Sequence, residues 1–340
     1  MKCVVYDLDL TLAFPIFLPL EQLFGYANRF TGLEIDDPSL ERSLAQAEEN
    51  FLKEVLTNKP VMRAFLRPNL YNYLYPVWAA KRAGIVDRVC IYSNTWSPFC
   101  VNFTKKVIER ALSLPGLFDE AVDATDPMRD RDWKEKRFPK GLKAGAPVPT
   151  QYKTMPTIYR LIHETDANLD EILFVDDLVH PYVTCPYYRA TPFYPKLTPT
   201  AVASIINMAI AALEKEGLLT FFKHAFNHNI EASREQMEAV KDPKYRKSIR
   251  YILSGVFDTD IIVPDDKIHW IPVKSVADLF KFIRVSYKKM MEEIAAAHKA
   301  NSEPDTNPYL NMLFPFLMKD VSERKLQRYL HYLKTYFKPV

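Results

Sequence analysis

The sequence contains little glycine, with 8 residues in 340 where average composition would give roughly 24. None of these glycines is spaced as in GxGxxG, the loop that holds a dinucleotide, or as in the GxxxxGK loop that holds nucleotide phosphates. The sequence therefore excludes both of these phosphate-binding fingerprints. Proline is abundant by contrast, with 25 residues where roughly 17 would be average.

Cysteine and net charge are also low. The four cysteines form no CxxC pair, so the sequence predicts neither a zinc ribbon nor a disulfide framework. A reducing compartment fits this pattern best. The 45 basic and 42 acidic residues leave a net charge of +3, which by itself does not indicate a nucleic-acid partner.

Long apolar runs are absent as well. The longest, Ala201–Leu213, is interrupted by Ser204 and Asn207 and is shorter than the roughly 20 residues that cross a bilayer. Near the N-terminus, Asp7 and Asp9 stand where a secretory signal needs an uninterrupted apolar core. We therefore expect a soluble intracellular protein, cytoplasmic or nuclear, that is not secreted and has no membrane partner.

Apolar segments that end in polar clusters recur three times along the chain. The segments and the polar residues that follow them are 2–6 with Asp7 and Asp9, 86–92 with Ser93 and Asn94, and 171–175 with Asp176 and Asp177. Segments of helical character separate them, at 39–56, 69–83, 98–112 and 153–165. This order predicts an α/β fold with an open parallel sheet flanked by helices, in which the three polar clusters meet at the carboxyl edge.

These clusters carry a resemblance to a known family. Asp7-Leu8-Asp9-Leu10-Thr11 resembles the DxDxT motif of the haloacid dehalogenase superfamily. Tyr92-Ser93-Asn94 is similar to its second motif, Lys153 to the lysine before its third strand, and Asp176-Asp177 to its acidic fourth motif. Within that superfamily, the sequence most resembles the carboxyl-terminal-domain phosphatases of RNA polymerase II, the NLI-interacting-factor-like type. In those proteins an Arg-Pro pair and a helix follow the first motif, as Arg67-Pro68 and the helical segment after it do here.

The resemblance implies a Mg²⁺-dependent phosphomonoesterase that works through an aspartyl-phosphate. Asp7 is implied as the nucleophile and Asp9 as the general acid and base, roles that carboxyl groups can fill. The implied phosphate-binding residues are Thr11, Ser93, Asn94 and Lys153. The implied Mg²⁺ ligands are Asp7, Asp9 through its carbonyl, Asp176 and Asp177, a set of oxygen donors that suits this ion. Lys140 and Lys143 stay open as alternatives to Lys153.

Two regions are expected from this comparison. Residues 1–217 would form the phosphatase domain, and 218–340 a mostly helical C-terminal region. The family carries a short β insert, whereas here the insert at about 15–66 is longer and helical. We expect it to form a cap over the site; the alternative is a helical addition packed at the sheet edge.

A basic segment at 129–143 is a candidate for binding a partner. It carries seven basic and three acidic residues, with Trp133 and Phe138 among them. Two interpretations fit this composition. The segment is either a solvated loop or a docking site for an acidic partner or a nucleic-acid backbone. The sequence thus leaves three substrate classes open, namely a phosphoprotein, a small phosphorylated molecule and a nucleic-acid end. The alternative function is a phosphate-recognising interaction module whose basic helical C-terminal region binds a partner.

Overall fold

A computed structural model gives the fold of the protein. It describes residues 1–21, 23–24, 38–95, 97–126, 129, 152–164, 168–219, 276–298 and 307–336. These residues form an α/β structure in which helices flank a sheet of five parallel strands. The α/β class and the open parallel sheet predicted from the sequence are thereby confirmed.

The strand order places the N-terminal strand at the centre of the sheet. The strands are β1 (Cys3–Tyr6), β2 (Arg88–Tyr92), β3 (Glu120–Val122), β4 (Ile172–Asp176) and β5 (Tyr187–Arg189), in the order β3-β2-β1-β4-β5. Cys3 of β1 pairs with Arg88 on one side and with Ile172 on the other. From β1 the chain adds β2 and β3 on one side, and it then crosses to add β4 and β5 on the other. The direction of winding therefore reverses between β1 and β4. In open α/β sheets ligands bind at such a reversal point, beyond the carboxyl ends of the strands.

Alternation along the strands divides the core into two layers. Val4 and Tyr6 of β1 face a cluster that contains Val89 and Leu173, while Cys3 and Val5 face the opposite cluster. Both sets are buried, which is typical of a parallel sheet that is covered on its two faces.

Two edge strands were not predicted from the sequence. The segment that contains β3 has no clear apolar periodicity, and β5 is only partly buried. Each has three residues and lies at an outer edge of the sheet, so the apolar signal of a central strand is missing.

Helices connect and cover the strands. They are α1 (Pro38–Thr57), α2 (Lys59–Phe65), α3 (Leu70–Arg82), α4 (Pro98–Ala111), α5 (Met155–Leu161), α6 (Pro199–Lys215), α7 (Val276–His298), α8 (Asn307–Met318) and α9 (Glu323–Tyr336), with short 3-10 turns at Leu18–Leu20 and Leu169–Glu171. Several helices begin with proline, as at Pro98 and Pro199, where the missing N–H costs nothing. The residues before them, Ser97 and Thr198, cap these helices with their side-chain oxygens.

The connection between β1 and β2 carries an aromatic cluster. Phe51 of α1 contacts the rings of Phe17 and Phe103, with ring centroids 5.8 and 5.1 Å apart. This cluster packs α1 against α4 and α6. The expected position of the 15–66 insert as a cap over the site stays a prediction, because 22 and 25–37 lie outside the described residues.

Helices from the C-terminal third pack on the α/β layers. The Tyr287 hydroxyl of α7 donates to the Ile16 carbonyl at 2.7 Å, and the Tyr75 hydroxyl of α3 donates to the Tyr332 carbonyl of α9 at 2.6 Å. The division at 217 stays a prediction, and 220–275 lie outside the described residues. Within the part of the chain that the structure describes, we find no helix with the length and apolar character to span a membrane.

Candidate active site

The polar clusters that follow β1, β2 and β4 meet at the carboxyl edge of the sheet. Asp7 directly follows β1 and its N–H donates to the Val175 carbonyl of β4 at 2.8 Å. Asp176 is the last residue of β4, and Ser93 directly follows β2. The three clusters therefore meet at one edge of the sheet, as the sequence predicted, and this edge includes the point between β1 and β4 where the winding reverses.

Three buried carboxyl groups form the centre of the site. Asp7, Asp176 and Asp177 are 5%, 1% and 3% exposed. One carboxylate oxygen from each lies within 4.8 Å of the others. Such a group of carboxylate oxygens can hold a hard divalent cation.

The Lys153 ammonium group neutralises part of this charge. Its Nζ donates to Asp7 Oδ1 and, at 2.7 Å, to Asp176 Oδ2, and its side chain is 1% exposed. The ammonium also lies 5.6 and 5.7 Å from the ring centroids of Tyr92 and Phe174, a cation–π arrangement. Lys140 and Lys143, the other candidates for this role, lie outside the described residues.

Lys153 itself stands in an extended segment ahead of α5. The sequence predicted a helix over about 153–165; the helix is present but shorter, since α5 covers Met155–Leu161. Thr154 has extended backbone angles and His163 a φ of +57°, so the chain leaves the helix on either side. This local geometry directs the lysine to the strand ends rather than along a helix.

The charges of the site shift the pKa values of its members in opposite directions. Burial raises the pKa of Asp176, but the Lys153 ammonium and the hydrogen bond from His180 outweigh it, so this pKa lies below its usual value. Burial lowers the pKa of Lys153, but Asp176 and Asp7 outweigh it and raise the pKa. For Asp7 burial dominates over the attraction of Lys153, so its pKa is raised. Asp176 and Lys153 are therefore the firmly charged pair.

Asp9 lies in a different environment, although only Leu8 separates it from Asp7 along the chain. Its Oδ2 accepts hydrogen bonds from Ser93 Oγ at 3.1 Å and from Thr95 Oγ1. Burial raises the pKa of Asp9, and these two hydrogen bonds only partly oppose it. A carboxyl group whose pKa is raised is suited to donate a proton near neutral pH.

Thr11 binds the second residue of the Asp176-Asp177 pair. Its hydroxyl donates to Asp177 Oδ1 at 3.2 Å and accepts from the Asp177 N–H at 3.0 Å. Burial and the neighbouring Asp176 carboxylate raise the pKa of Asp177 to about 6. The threonine thus fixes the position of a carboxyl group, a contact that the sequence prediction of phosphate binding did not include.

Arg67 holds the loop that carries the two aspartates. Its buried guanidinium donates to the backbone carbonyls of Leu10, Thr11 and Thr191. Leu10 has a φ of +60°, a region that a leucine seldom adopts. Because Arg67 and the Phe193 N–H both bind the Leu10 carbonyl, they hold this uncommon backbone in place.

Asn94 is bound by an arginine of the basic segment. Arg129 donates to Asn94 Oδ1 at 2.8 Å and to the Ser93 carbonyl at 3.1 Å, and its guanidinium lies 5.2 Å from the Tyr92 ring centroid. Residues 130–143, the rest of this segment, lie outside the described residues. The expected contact with nucleic acid through it stays a prediction.

The structure thus brings the predicted site residues to one edge of the sheet, in two groups. One group contains Asp7, Asp176, Asp177, Lys153 and Thr11. The other contains Asp9 and Ser93, together with Asn94, which Arg129 binds along with the Ser93 carbonyl. Thr95, Arg129 and His180 also contact these residues but were not predicted. The hydroxyl two positions after Ser93 was a usable signal for Thr95, whereas the other two depend on contacts between distant segments.

Neither a scan against protein-family models nor a search of curated proteins returned a match.

The donor set fits the Mg²⁺ that the sequence resemblance implied. With the three carboxyl groups ionised and Lys153 protonated, the group carries three negative charges and one positive charge, a net of two negative charges. This balance and the carboxylate oxygens suit a hard dication. The predicted use of the Asp9 carbonyl as a ligand stays a prediction.

Proposed function

We propose that this protein is a Mg²⁺-dependent phosphomonoesterase of the haloacid dehalogenase type, which forms an aspartyl-phosphate on Asp7. The observation that carries the proposal is the contact of Asp7 with Lys153 at the reversal point of the sheet, beside Asp176 and Asp177. A carboxylate, an ammonium group and a set of metal-binding oxygens at one point suit the transfer of a phosphoryl group.

In the first step an Asp7 carboxylate oxygen attacks the phosphorus of the substrate. The bond from phosphorus to the leaving oxygen breaks as the new one forms, and Asp9 gives its proton to that oxygen. The raised pKa of Asp9 supports this role, since the group must be protonated when it acts. The products of the step are an aspartyl-phosphate and the alcohol.

In the second step water attacks the phosphorus of the aspartyl-phosphate. Asp9, now ionised, takes a proton from the water, and the bond from phosphorus to the Asp7 oxygen breaks. Inorganic phosphate leaves, and both aspartates return to their starting forms.

The remaining residues bind charge that develops on the phosphoryl oxygens. Lys153 supplies an ammonium group and Asn94 a side-chain amide at the end of β2, and the Ser93 hydroxyl, which donates to Asp9 before substrate binds, would turn to the phosphate. Mg²⁺, held by Asp7, Asp176 and Asp177, would reduce the repulsion between the nucleophile and the phosphate and favour the ionised form of Asp7. Thr11, predicted to bind phosphate, acts in this proposal on Asp177, because the two exchange hydrogen bonds.

The substrate is proposed only as a class. The sequence likeness to polymerase-tail phosphatases supports a phosphoprotein, and the helical insert supports a small phosphorylated molecule. Arg129, the first residue of the basic segment, binds the residues that follow β2. This contact brings the start of the basic segment to the site and supports a nucleic-acid end as a third substrate class.

The proposal is tested by hydrolysis of an aryl phosphate with Mg²⁺ and with a chelator, for the wild-type chain and Asp7→Asn. We expect turnover that needs the metal and falls by more than about 1,000-fold in the variant, while circular dichroism shows that both are folded. A panel of phosphopeptides, nucleotides and phosphorylated nucleic-acid ends then separates the substrate classes. Wild-type activity in Asp7→Asn would refute the mechanism. Phosphate binding without turnover across the panel would favour the interaction module.

A further inference from the structure

The imidazole of His180 lies inside the site, although neither proposed chemical step uses it. It is 3% exposed and its ring packs edge-on against Phe174 and Tyr152, with centroids 6.2 and 6.3 Å apart. Its two ring nitrogens contact two other elements. Nε2 lies 3.0 Å from Asp176 Oδ2, and Nδ1 lies 3.2 Å from the Lys153 backbone nitrogen.

These two contacts define which nitrogen of His180 carries the proton. A backbone N–H can only donate, so Nδ1 must accept the hydrogen bond from Lys153. The neutral ring then has its proton on Nε2, which donates to the Asp176 carboxylate. The imidazole therefore acts as a donor towards one functional residue and an acceptor towards another.

The contact with Asp176 completes the set of donors that orients this carboxylate. Its Oδ2 accepts from Lys153 Nζ and His180 Nε2, and its Oδ1 accepts from the Leu178 N–H at 2.8 Å. Donors on both oxygens fix the plane of the carboxylate. Partners of this kind around ligating groups typically change metal affinity by about 10–100-fold when they are lost.

The contact with the backbone joins the Lys153 segment to the end of β4. The Thr154 N–H donates to the Tyr92 hydroxyl at 3.3 Å, and the Met155 N–H donates to the Tyr182 carbonyl at 3.2 Å. His180 adds the bond at Lys153 itself, 27 residues away along the chain. The His180 ring thus holds the Lys153 backbone and the Asp176 carboxylate at a fixed distance from each other.

We propose that His180 is a positioning residue, which holds the Asp176 carboxylate and the Lys153 backbone in the arrangement that binds Mg²⁺ and phosphate. The inference rests on the proposed function, because it gives His180 a role in that same site. His180 would fill this role through its two hydrogen bonds, one to the Asp176 carboxylate and one from the Lys153 backbone N–H.

Three variants separate this role from simple packing. In His180→Gln the side-chain amide N–H₂ can take the place of Nε2 and donate to Asp176. In His180→Asn the amide oxygen can take the place of Nδ1 and accept from Lys153, but the donor to Asp176 is lost. His180→Leu keeps apolar volume and loses both bonds. His163→Gln is the matched control, because the His163 side chain is 53% exposed and pairs with Glu120.

The measurement is the affinity of the full chain for Mg²⁺ by calorimetry, and for Mn²⁺ by electron paramagnetic resonance, together with kcat and KM for an aryl phosphate. We expect His180→Gln to stay within about 3-fold of the wild-type affinity, and His180→Asn and His180→Leu to lose about 10–100-fold. Thermal unfolding shows whether each variant is folded. If His180→Leu does not fold, the comparison of Asn with Gln decides.

The outcomes separate this inference from the proposed function. Equal metal affinity in all the folded variants and the control overturns the role of His180 and leaves the hydrolase proposal intact. The expected order of affinities without any hydrolysis supports the role of His180 and overturns the hydrolase. A wild-type chain that binds neither metal ion overturns the inference together with the metal site.

Discussion

Asp7 and Asp9 differ in their surroundings, although a single leucine separates them. Asp7 is in contact with the Lys153 ammonium group, whereas Asp9 accepts hydrogen bonds from the hydroxyl groups of Ser93 and Thr95. Two carboxyl groups in such different environments can divide the work of a nucleophile and an acid. The pattern DxDxT in the sequence shows the pair, but only the contacts show why the roles would differ.

Thr95 gives a test of the environment of Asp9. Thr95→Val removes a hydroxyl donor to Asp9 Oδ2 and keeps the shape of the side chain. Hydrogen bonds to charged groups contribute about 1.5–3 kcal/mol, so we expect kcat to fall by roughly 10–100-fold. The loss also raises the pKa of Asp9, so the alkaline limb of the kcat profile should move to higher pH. Thr95→Ser, which keeps the donor, is the control; a kcat of Thr95→Val equal to the wild-type value would contradict the role.

Asp177 should make the free energy of unfolding of the chain depend on pH. Its pKa is about 6 in the folded chain, raised mainly by burial, against about 3.9 in an unfolded chain. Because the folded state binds the proton more tightly, this group stabilises the fold fully below about pH 4 and loses that contribution as the pH rises through about 6. The expected contribution is on the order of 1–3 kcal/mol.

Urea unfolding of the metal-free protein at several pH values between about 4 and 8 measures this effect. The free energy of unfolding of the wild type should fall more steeply with rising pH than that of Asp177→Asn. Parallel curves for the two proteins would show that Asp177 does not titrate as stated.

Among the elements, the start of α3 and the loop after β1 depend on each other. Arg67, three residues before α3, donates to carbonyls at residues 10, 11 and 191, which belong to two separate loops. Arg67→Met leaves these buried carbonyls without that donor, so we expect the free energy of unfolding to fall by about 2–5 kcal/mol. Urea denaturation measures the change. Arg67→Lys keeps the charge without the planar fork, so its free energy of unfolding should lie between those of the wild type and Arg67→Met. A loss below about 1 kcal/mol in Arg67→Met would contradict the proposed link between the two loops.

The elements also show how far the sequence predicts this fold. Central strands carry mainly apolar segments that end in polar residues, so β1, β2 and β4 were predicted, as was the edge of the sheet where their clusters meet. The edge strands β3 and β5 are short and only partly buried, and they lack that signal. His180 and Arg129 act through contacts with segments far along the chain, which no local pattern indicates.

A cluster of tyrosines links distant parts of the chain, because it attaches the C-terminal helices to the sheet. Tyr309 of α8 is fully buried, its hydroxyl lies 2.5 Å from that of Tyr6 in β1, and its ring stacks on Tyr73 at 4.4 Å. The ring of Tyr188 in β5 also contacts the Tyr309 ring, with centroids 5.2 Å apart. The strand that leads to Asp7 therefore packs directly on α8.

From this contact we expect the sheet and the C-terminal helices to unfold together. Tyr309→Phe removes one partner of a buried hydrogen bond and leaves the Tyr6 hydroxyl without it, so the free energy of unfolding should fall by about 1–3 kcal/mol. The double variant with Tyr6→Phe should lose less than the sum of the two single variants, because they share the interaction. Circular dichroism and tyrosine fluorescence should report one transition; additive losses or two separate transitions would contradict the coupling.

Detection of a phosphoryl group on Asp7 during turnover would give direct evidence of the aspartyl-phosphate mechanism. Samples quenched in acid while an aryl phosphate is being hydrolysed are digested, and the peptide that contains Asp7 is analysed by mass spectrometry. We expect phosphorylated Asp7 in the wild type and none in Asp7→Asn. Asp9→Asn should accumulate it, because an aryl leaving group needs little acid assistance whereas attack by water needs the base. Hydrolysis by the wild type without phosphorylated Asp7, and at the same rate in Asp7→Asn, would contradict the claim.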